Sequence, residues 1–584
     1  MNLTFLALSA LILTACAPNA TQAVSDVPAA ETAAPKTAPA VGSYIFYLQA
    51  KQDRNFADAV KFLNAALKED PDNKMLRSEM FLLLAGEGRL KEAYPYALDE
   101  LKKDRSALLA ALVVIARDAQ KDDYAHALRQ IKAFPDKTDN AFLFPLLEMW
   151  VQAGLNNRKK AEQALNKINQ AGTEALYAFH SALLYDLWGE VDQARDSYER
   201  LLKEPGGLSL RAAQAYGNFL LRHGNSREFA ALVAAYRKSA KAYPLIDEMF
   251  FTAGAMVANR KVPRSVPNAK AGLAEAFFDI SGSLADKGSP ESSLFFIRFG
   301  LALDPNLSLA RILLGEILEK QGRDDEALKL YLGEKESSET YFADQTRAAA
   351  ILARQGRADK AEKILRKLAD RRNDSPAPWM QLGEILLTEE KYPQAVAAFS
   401  EALDRTGPLN RSHWVLFYSR GVAYERNGQW DNAEADLQKA LMLSPEEPST
   451  LNYLGYSWLE RGKNIPEASK MLKTAVRLAP NDGSIADSLG WSYYLRRKYG
   501  KALEMLETAL TLNPGSAVIN DHLGDAYWRV GRKREARYQW AKALAVNDDL
   551  PPADRKRVDE KLEKGLDAVG DKIALPEKPR KKNE

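Results

Sequence analysis

The sequence predicts an all-α fold, a right-handed solenoid of stacked antiparallel helix pairs, and two observations support this prediction. A signature of a glycine, an aromatic residue, two alanines and a proline recurs in the second half of the chain. Its four clearest copies are centred on Gly421, Gly455, Gly490 and Gly524, at intervals of 34, 35 and 34 residues. The same register continues towards the N-terminus, with a poorer match to the signature residues, at Gly383, Ala349, Gly315 and Ser281.

Each position of the signature has a physical reason. The glycine lets the two helices of a pair approach closely, and the alanine twelve or thirteen residues later (Ala433, Ala468, Ala502, Ala536) is expected to lie across that contact. The aromatic residue three positions after the glycine is expected to fill the space between neighbouring repeats. The proline cannot continue a helix and ends the second one. A period of 34 with these residues is typical of the tetratricopeptide repeat, a unit that buries its apolar face only by stacking on its neighbours.

The array is predicted to contain twelve to fourteen helix pairs, divergent over residues 42–270 and regular over residues 271–548. One extra residue within 461–466 accounts for the single spacing of 35, and a four-residue insertion lies around 407–410. Pro263 and Pro267 suggest a flexure near 262–270. Residues 549–584 are predicted to form a capping helix, at about 552–567, and a basic tail. That tail is either a solvated terminus or a contact for an acidic partner.

The N-terminal sequence predicts the cellular compartment of the protein. Residues 3–15 form an apolar run too short to span a bilayer, and they end at Cys16, the only cysteine of the chain. The run Leu13-Thr14-Ala15-Cys16 resembles a bacterial lipobox, which implies that residues 1–15 are a signal peptide and that Cys16 carries acyl chains such as palmitate. The alternatives are an uncleaved apolar helix or a free thiol.

The residue after the cysteine and the segment that follows refine this expectation. Ala17, rather than an aspartate, follows Cys16. By analogy with bacterial lipoproteins, this favours attachment to the periplasmic face of the outer membrane. Residues 16–41, rich in alanine, proline and threonine, are predicted to be a flexible tether because they lack the large apolar side chains that folding requires.

Composition and motifs argue against catalysis and against nucleic-acid binding. The net charge is only +3, with 81 basic and 78 acidic residues. The five histidines are scattered singly, and no metal-binding, nucleotide-binding or nucleophile motif is present. The sequence therefore predicts a protein that is not an enzyme and that needs no metal and no cofactor.

The candidate binding site is the concave face of the last repeats. Register assigns to that face four large aromatic and three acidic side chains, with an asparagine and an arginine: Asn452, Tyr456, Asp487, Trp491, Tyr494, Asp521, Asp525, Trp528 and Arg529. Aromatic residues are enriched in binding hot spots, whereas the aspartates would repel a carboxylate. A neutral or basic protein segment is the expected ligand. The alternative is that these side chains pack against neighbouring helices or the C-terminal cap.

The last repeats also carry a resemblance. The sequences DSLGW at 487–491, NDHLGDAYW at 520–528 and RYQW at 537–540 resemble a family of proteobacterial tetratricopeptide lipoproteins of similar length. One member of that family is similar to an outer-membrane adaptor that binds a periplasmic carboxyl-terminal processing protease and presents peptidoglycan hydrolases to it. The resemblance implies a lipid-anchored adaptor with protein partners. Two alternatives stay open: an assembly factor for outer-membrane proteins, pili or envelope polysaccharide export, and a cell-wall enzyme or polysaccharide-binding protein.

Overall fold

The computed structural model describes residues 40–135, 142–205, 208–238, 262–286, 289–336, 338, 340–546 and 550–571. Every regular element in these ranges is helical, which confirms the predicted all-α class. The chain divides into two compact units, Met1–Arg357 and Ala358–Glu584. The predicted signal peptide, Cys16, nearly all of the tether and the basic tail lie outside the described residues, and the division of the array between residues 270 and 271 remains a prediction.

In its described residues, the first unit contains eight helix pairs followed by one more helix. In chain order its helices are α1 (Ala40–Gln52), α2 (Phe56–Glu69), α3 (Lys74–Gly86), α4 (Leu90–Lys103), α5 (Leu108–Gln120), α6 (Tyr124–Ala133), α7 (Leu143–Gly154), α8 (Arg158–Lys167), α9 (Glu174–Trp188), α10 (Val191–Lys203), α11 (Leu210–Arg222), α12 (Ser226–Lys238), α13 (Ala269–Asp286), α14 (Pro290–Leu303), α15 (Ser308–Lys320), α16 (Asp324–Leu332) and α17 (Tyr341–Arg354).

The described part of the second unit begins with one helix, continues as five pairs and ends with two further helices, the last of which has only four residues. They are α18 (Ala358–Arg371), α19 (Ala377–Thr388), α20 (Tyr392–Asp404), α21 (Trp414–Arg426), α22 (Trp430–Leu443), α23 (Pro448–Glu460), α24 (Ile465–Leu478), α25 (Gly483–Leu495), α26 (Tyr499–Leu512), α27 (Ala517–Arg529), α28 (Lys533–Ala545), α29 (Pro552–Lys564) and α30 (Leu566–Val569). Within the described residues, thirteen pairs lie wholly inside one unit, which agrees with the predicted twelve to fourteen.

The signature glycines do let the paired helices approach closely, although at Gly421, Gly490 and Gly524 the nearest neighbour is not the predicted alanine. A Cβ on Gly490 would lie 2.7 Å from Cγ of Leu506, sixteen residues later, and one on Gly421 would lie 3.0 Å from Cγ of Leu437. In the last repeat, a Cβ on Gly524 would meet the indole of Trp540. The signature alanines are all fully buried, and the carbonyl oxygens of Ala433 and Ala468 would each lie 3.3 Å from a Cβ on Gly421 and Gly455, respectively. Close approach therefore depends on the side chain one turn beyond the alanine.

Two of the signature aromatic residues contact the preceding repeat, and the prolines lie where the prediction placed them. Trp458 Nε1 donates to Glu434 Oε1 of the preceding repeat (2.6 Å), and Tyr527 Oη donates to Glu507 Oε1 of the preceding repeat (2.7 Å). The helices α22, α24 and α26 each end two residues before a proline. The extra residue lengthens the α23–α24 loop to four residues, one more than in the neighbouring pairs.

The first unit contains packing between helices that are distant in the sequence. The pair α13–α14 contacts α3, α5 and α7 in addition to its neighbours along the chain. A Cβ on Gly272 of α13 would overlap the buried indole of Trp150 on α7, and Gln120 Nε2 donates to the Ala302 carbonyl (2.8 Å). Arg298 of α14 pairs with Glu87 (3.3 Å). Simple stacking of neighbours does not account for these contacts.

The described part of the predicted flexure, from residue 262, follows the surface of α11. Arg222 Nη1 donates to the Pro263 carbonyl (3.0 Å). Close by, Arg211 of α11 forms a buried two-point ion pair with Glu275 of α13, at 2.8 Å from Nε and 2.6 Å from Nη2. A charge pair that is shielded from water therefore joins α11 to α13, the helix that follows this segment.

Candidate functional site

Two helices of the second unit, α25 and α27, form the centre of the candidate site. The carboxylate of Asp482 accepts from the amides of Ser484 and Ile485 (2.9 and 3.1 Å) and so caps the start of α25. Ser516 caps α27 in the same way, through the amide of Ile519 (3.3 Å). These caps satisfy amides that have no partner within the helix and fix where each helix begins. The candidate side chains therefore recur at equivalent positions of the two helices.

Three rings stack in the interior of this region. Trp491 lies between Tyr494, at 4.6 Å between ring centres and nearly parallel, and His522, at 3.9 Å. The Nδ1 atom of His522 lies 3.0 Å from both carboxylate oxygens of Asp487. Burial lowers the pKa of His522, but Asp487, together with Asp521 and Asp525, more than offsets that effect, so the pKa is raised. The stack therefore holds the buried imidazole of His522 between a carboxylate and an indole face.

An acidic pocket lies beside the stack. The ammonium group of Lys561, on α29, lies 2.8 Å from Asp521 Oδ1 and 2.8 Å from Asp525 Oδ2, with only 1% of its side chain exposed. Trp540 Nε1 donates to the other oxygen of Asp525 (3.0 Å). Burial and the neighbouring Asp521 raise the pKa of Asp525 to about 6, against the opposing effect of Lys561. Two carboxylates and one lysine thus form a compact buried cluster.

The opposite end of the site provides hydrogen-bond donors. Trp528 Nε1 donates to Asp567 (2.9 Å), and the guanidinium of Arg529 pairs with Asp567 (3.0 Å) and with Asp571 (2.9 Å). The hydroxyl of Tyr494 donates to Asp571. The acceptors all belong to the segment that follows α28, so that segment, defined by its described residues 550–571 and called the C-terminal segment, covers α25 and α27.

The structure brings together seven of the nine predicted residues around the C-terminal segment. Trp491, Tyr494 and Trp528 are 2%, 3% and 8% exposed, which matches the alternative interpretation of packing against a cap. The predicted helix at about 552–567 forms as α29 and α30, which meet at Gly565. That the groove binds a partner remains a prediction.

Asn452 and Tyr456 lie on the preceding first helix, α23, and both are half-buried. Burial is the main effect that raises the pKa of Tyr456, and the charges of Glu460, Asp487 and Asp554 add to it, which places this phenol near the start of α29. The amide oxygen of Asn452 is buried without a hydrogen-bond partner. Both residues therefore lie on the helix pair before α25, with Tyr456 at the edge of the covered part.

Four residues of the site were not predicted: His522, Trp540, Lys561 and Gly565. In the sequence, His522 is one of five singly scattered histidines, and Trp540 belongs to the run RYQW at 537–540 that carries the family resemblance. One feature of the sequence could have indicated the contact with Lys561: two neighbouring aspartates on a concave face require a cation. Its distance of about forty residues from them gave no indication of contact.

Other features of the described residues offer no rival site. The first unit contains two open clefts of about 1030 and 1070 Å³. Several charged groups in them are paired, as Lys270 is with Asp122 and Arg311 with Glu334. No group of three or more metal-ligating side chains occurs in the described ranges. No described helix combines the length and the apolar character that crossing a bilayer requires.

Comparisons with known proteins agree with this geometry. Models of the tetratricopeptide repeat match residues 310–339, 346–411, 414–447 and 488–555, so these parts of the chain are tetratricopeptide repeats. The TPR repeat-containing protein PA4667 of Pseudomonas aeruginosa is 30% identical over 194 residues, which cover 32% of this chain and 31% of that protein. The BBSome complex member BBS4 of Bos taurus is 29% identical over 124 residues, 21% of this chain and 23% of that protein.

The chain thus spans less than a third of the length of either curated relative in these matches. Among solved structures, the APC/C hetero-tetramer Cut9–Hcn1 aligns over 89% of this chain and 96% of the matched chain, at 15% identity and a TM-score of 0.38.

Proposed function

We propose that this tetratricopeptide-repeat chain is a non-enzymatic, lipid-anchored scaffold of the periplasm. In its most specific form it is an adaptor that brings a carboxyl-terminal processing protease to cell-wall hydrolase substrates. Stacked repeats offer long continuous surfaces and are ordinarily used to bind proteins. The partial match to a TPR repeat-containing protein of a proteobacterium is consistent with the family resemblance of the last repeats.

The observation that carries the proposal is the way in which α25 and α27 hold a protein segment. Their aromatic and charged side chains contact the C-terminal segment through one buried lysine and two carboxylates. Such a mixture of ring surface, acceptors and donors on one concave face is the chemistry of a peptide-binding groove. The same face continues to Tyr456 and Asn452, which α29 leaves half-exposed.

Anchoring at Cys16 would place this surface in the right compartment. Several acyl chains on one cysteine would give stable attachment, whereas a single chain would be marginal. The 25 residues 17–41 would reach roughly 75 Å if extended at about 3.1 Å per residue. A scaffold on such a tether could meet partners both near the membrane and at the cell wall.

The function is tested by reconstitution. The purified chain is mixed with a carboxyl-terminal processing protease and a labelled peptidoglycan hydrolase, and the rate of hydrolase degradation is measured with and without the chain. We expect the chain to bind the protease, to speed degradation and to cleave nothing by itself. Capture of outer-membrane barrel or secretin components from solubilised envelopes, with no effect on proteolysis, would favour the assembly-factor alternative. Cleavage of peptidoglycan by the chain alone would overturn the proposal.

The anchor is tested separately. In cells labelled with an alkyne analogue of palmitate, the wild-type chain should become labelled and fractionate with the outer membrane. The Cys16→Ser variant should be unlabelled and absent from that fraction. Labelling of the variant, or a wild-type chain that stays unlabelled, would contradict the predicted lipobox.

A further inference from the structure

The C-terminal segment is attached to the second unit by apolar and polar contacts. Apart from Gly565, its buried residues are Leu550, Val558, Lys561 and Leu566, and the others are half-buried or exposed. Leu550, Val558 and Leu566 join the hydrophobic core of the second unit, and each large apolar side chain that is buried contributes about 1.5–3 kcal/mol. The polar contacts, which include the buried ammonium group of Lys561, determine which chemistry the surface accepts.

The acceptors for the lysine are positioned by the array and not by the segment. Trp540, on α28, is fully buried and fixes Asp525 through its indole N–H, while Gly524 leaves room for the same indole. Asp521 lies one turn before Asp525 on α27, so both carboxylates point to the same place. Without a cation between them, two neighbouring buried carboxylates would be strongly disfavoured. The array therefore forms a site that requires a cation.

The donors are positioned in the same way. Trp528 and Arg529 follow on the next turn of α27, and Tyr494 is held by its stack on Trp491. Arg529 and the Trp528 indole both donate to a single carboxylate, that of Asp567. Paired donors of this kind recognise a carboxylate with a defined position and direction. The surface thus has a fixed polarity, with the cation site at one end and the carboxylate site at the other.

We infer that this surface is a receptor site for a helical protein segment that places a lysine between Asp521 and Asp525 and a carboxylate against Trp528 and Arg529. The C-terminal segment occupies the site until a partner segment of the same chemistry replaces it. This inference rests on the proposed function and specifies its ligand. The resident segment defines the required pattern: a lysine followed by acidic residues six and ten positions later, as in Lys561, Asp567 and Asp571.

Gly565 provides a way to open the site without altering the array. It lies between α29 and α30 with φ of +83°, and a Cβ there would overlap the indole of Trp528. Gly570 has a nearly identical φ of +80°, but a Cβ there would meet nothing within 4 Å. Gly565→Ala and Gly570→Ala therefore share the same backbone strain, and only the first should push the segment away from Trp528.

The test uses the full chain and a fluorescein-labelled synthetic peptide of residues 550–571. Fluorescence anisotropy is measured for the wild type, Gly565→Ala and Gly570→Ala. We expect the peptide to bind Gly565→Ala about tenfold more tightly than it binds the other two proteins, whose site is occupied. A peptide carrying Lys561→Gln should bind Gly565→Ala about a hundredfold more weakly, because the buried carboxylates lose their cation. Circular dichroism of each protein verifies that the helices are retained.

Other outcomes would overturn the inference. Equal, weak binding of the peptide to all three folded proteins would show that residues 550–571 are a fixed structural cap. Equal binding of the native and Lys561→Gln peptides would show that the aspartates do not select a lysine.

The inference and the proposed function can fail separately. If excess peptide leaves capture of the processing protease by Gly565→Ala unchanged, the partner binds elsewhere; the receptor site is then wrong and the adaptor function stands. If the peptide binds as expected but no protease is captured, the receptor site stands and the adaptor function is wrong.

Discussion

At the scale of single residues, the glycine of each regular repeat determines how closely two helices pack. Gly490 lies against Leu506 of α26, whose Cγ and Cδ2 would be 2.7 and 2.9 Å from an added Cβ. Distances below 3.0 Å require the neighbour to move, and Leu506 is itself fully buried in the core of the second unit. A methyl group at this position therefore overpacks the pair.

The first prediction compares two glycines of the same repeat. Gly490→Ala should lower the free energy of unfolding of the second unit by about 1–3 kcal/mol through overpacking. Gly500→Ala, on an exposed helical turn where a Cβ meets nothing within 4 Å, should raise it by about 0.5–1 kcal/mol because alanine favours the helix. Urea unfolding followed by tryptophan fluorescence measures both, since seven of the nine tryptophans lie in this unit. Equal effects of the two substitutions would contradict the packing argument.

The second prediction concerns how stability depends on pH through the buried His522. Because the pKa of His522 is raised in the folded state, its contribution to stability is complete below the ordinary value near 6.5 and is lost as the pH rises through the raised value. Asp525, with a pKa of about 6 raised by burial and by Asp521, acts with the same sign, while Lys561 stays charged throughout. The urea midpoint of the wild type should therefore fall between pH 6 and pH 9.

His522→Gln is the matched variant, because glutamine can still donate to Asp487 but does not titrate. Its urea midpoint should be lower than that of the wild type at pH 6 and should converge with it at high pH. Parallel curves for the two proteins over this range would refute a charged His522.

At the scale of elements, a buried ion pair joins α11 to α13 in the first unit. Arg211 and Glu275 are 9% and 1% exposed, and Nε and Nη2 of Arg211 contact the two oxygens of the carboxylate. Removing one partner of such a pair leaves an uncompensated buried charge, whereas replacing both with apolar residues of similar size is often neutral or stabilising. The pair thus contributes more to the choice of packing than to net stability.

The third prediction follows from this asymmetry. Arg211→Met should lower the local stability of α11 and α13 by about 3–5 kcal/mol, and Arg211→Met combined with Glu275→Leu should recover most of that loss. Hydrogen exchange of peptides from the two helices measures the local free energy. A double variant as unstable as the single one would mean that the hydrogen bonds themselves, and not the unpaired charge, determine the loss.

The helices of the regular array could be predicted from the sequence because every repeat carries the same local sequence pattern. The prolines after α22, α24 and α26, the extra loop residue before α24 and the close approach at Gly490 are all local features with a fixed period. The contact of α13 with α7 through Gly272 and Trp150 has no period and joins positions more than a hundred residues apart. Likewise, register assigned Asp521 and Asp525 to the concave face, but the position of Lys561 depends on how the chain turns after α28.

At the scale of the whole molecule, the two units differ in which helices contact one another within each unit. In the second unit, contacts between helix pairs are mainly between neighbours in the chain, so that damage should spread only to adjacent repeats. In the first unit, α13 and α14 contact α3, α5 and α7, so helices from distant parts of the sequence depend on one another. The first unit should therefore unfold more cooperatively than an array of the same length.

The last prediction tests this difference by hydrogen exchange. Gly272→Ala forces a methyl group into the indole of Trp150, and it should increase exchange in α13 and α14 and also in α3, α5 and α7. Gly282→Ala on the same helix, where a Cβ meets nothing within 4 Å, is the matched control and should change little. Gly383→Ala, whose Cβ would lie 2.7 Å from the ring of Phe399, should increase exchange only in α19, α20 and the helices next to them. An effect of Gly272→Ala confined to α13 and its chain neighbours would show that the long-range contacts do not couple these helices.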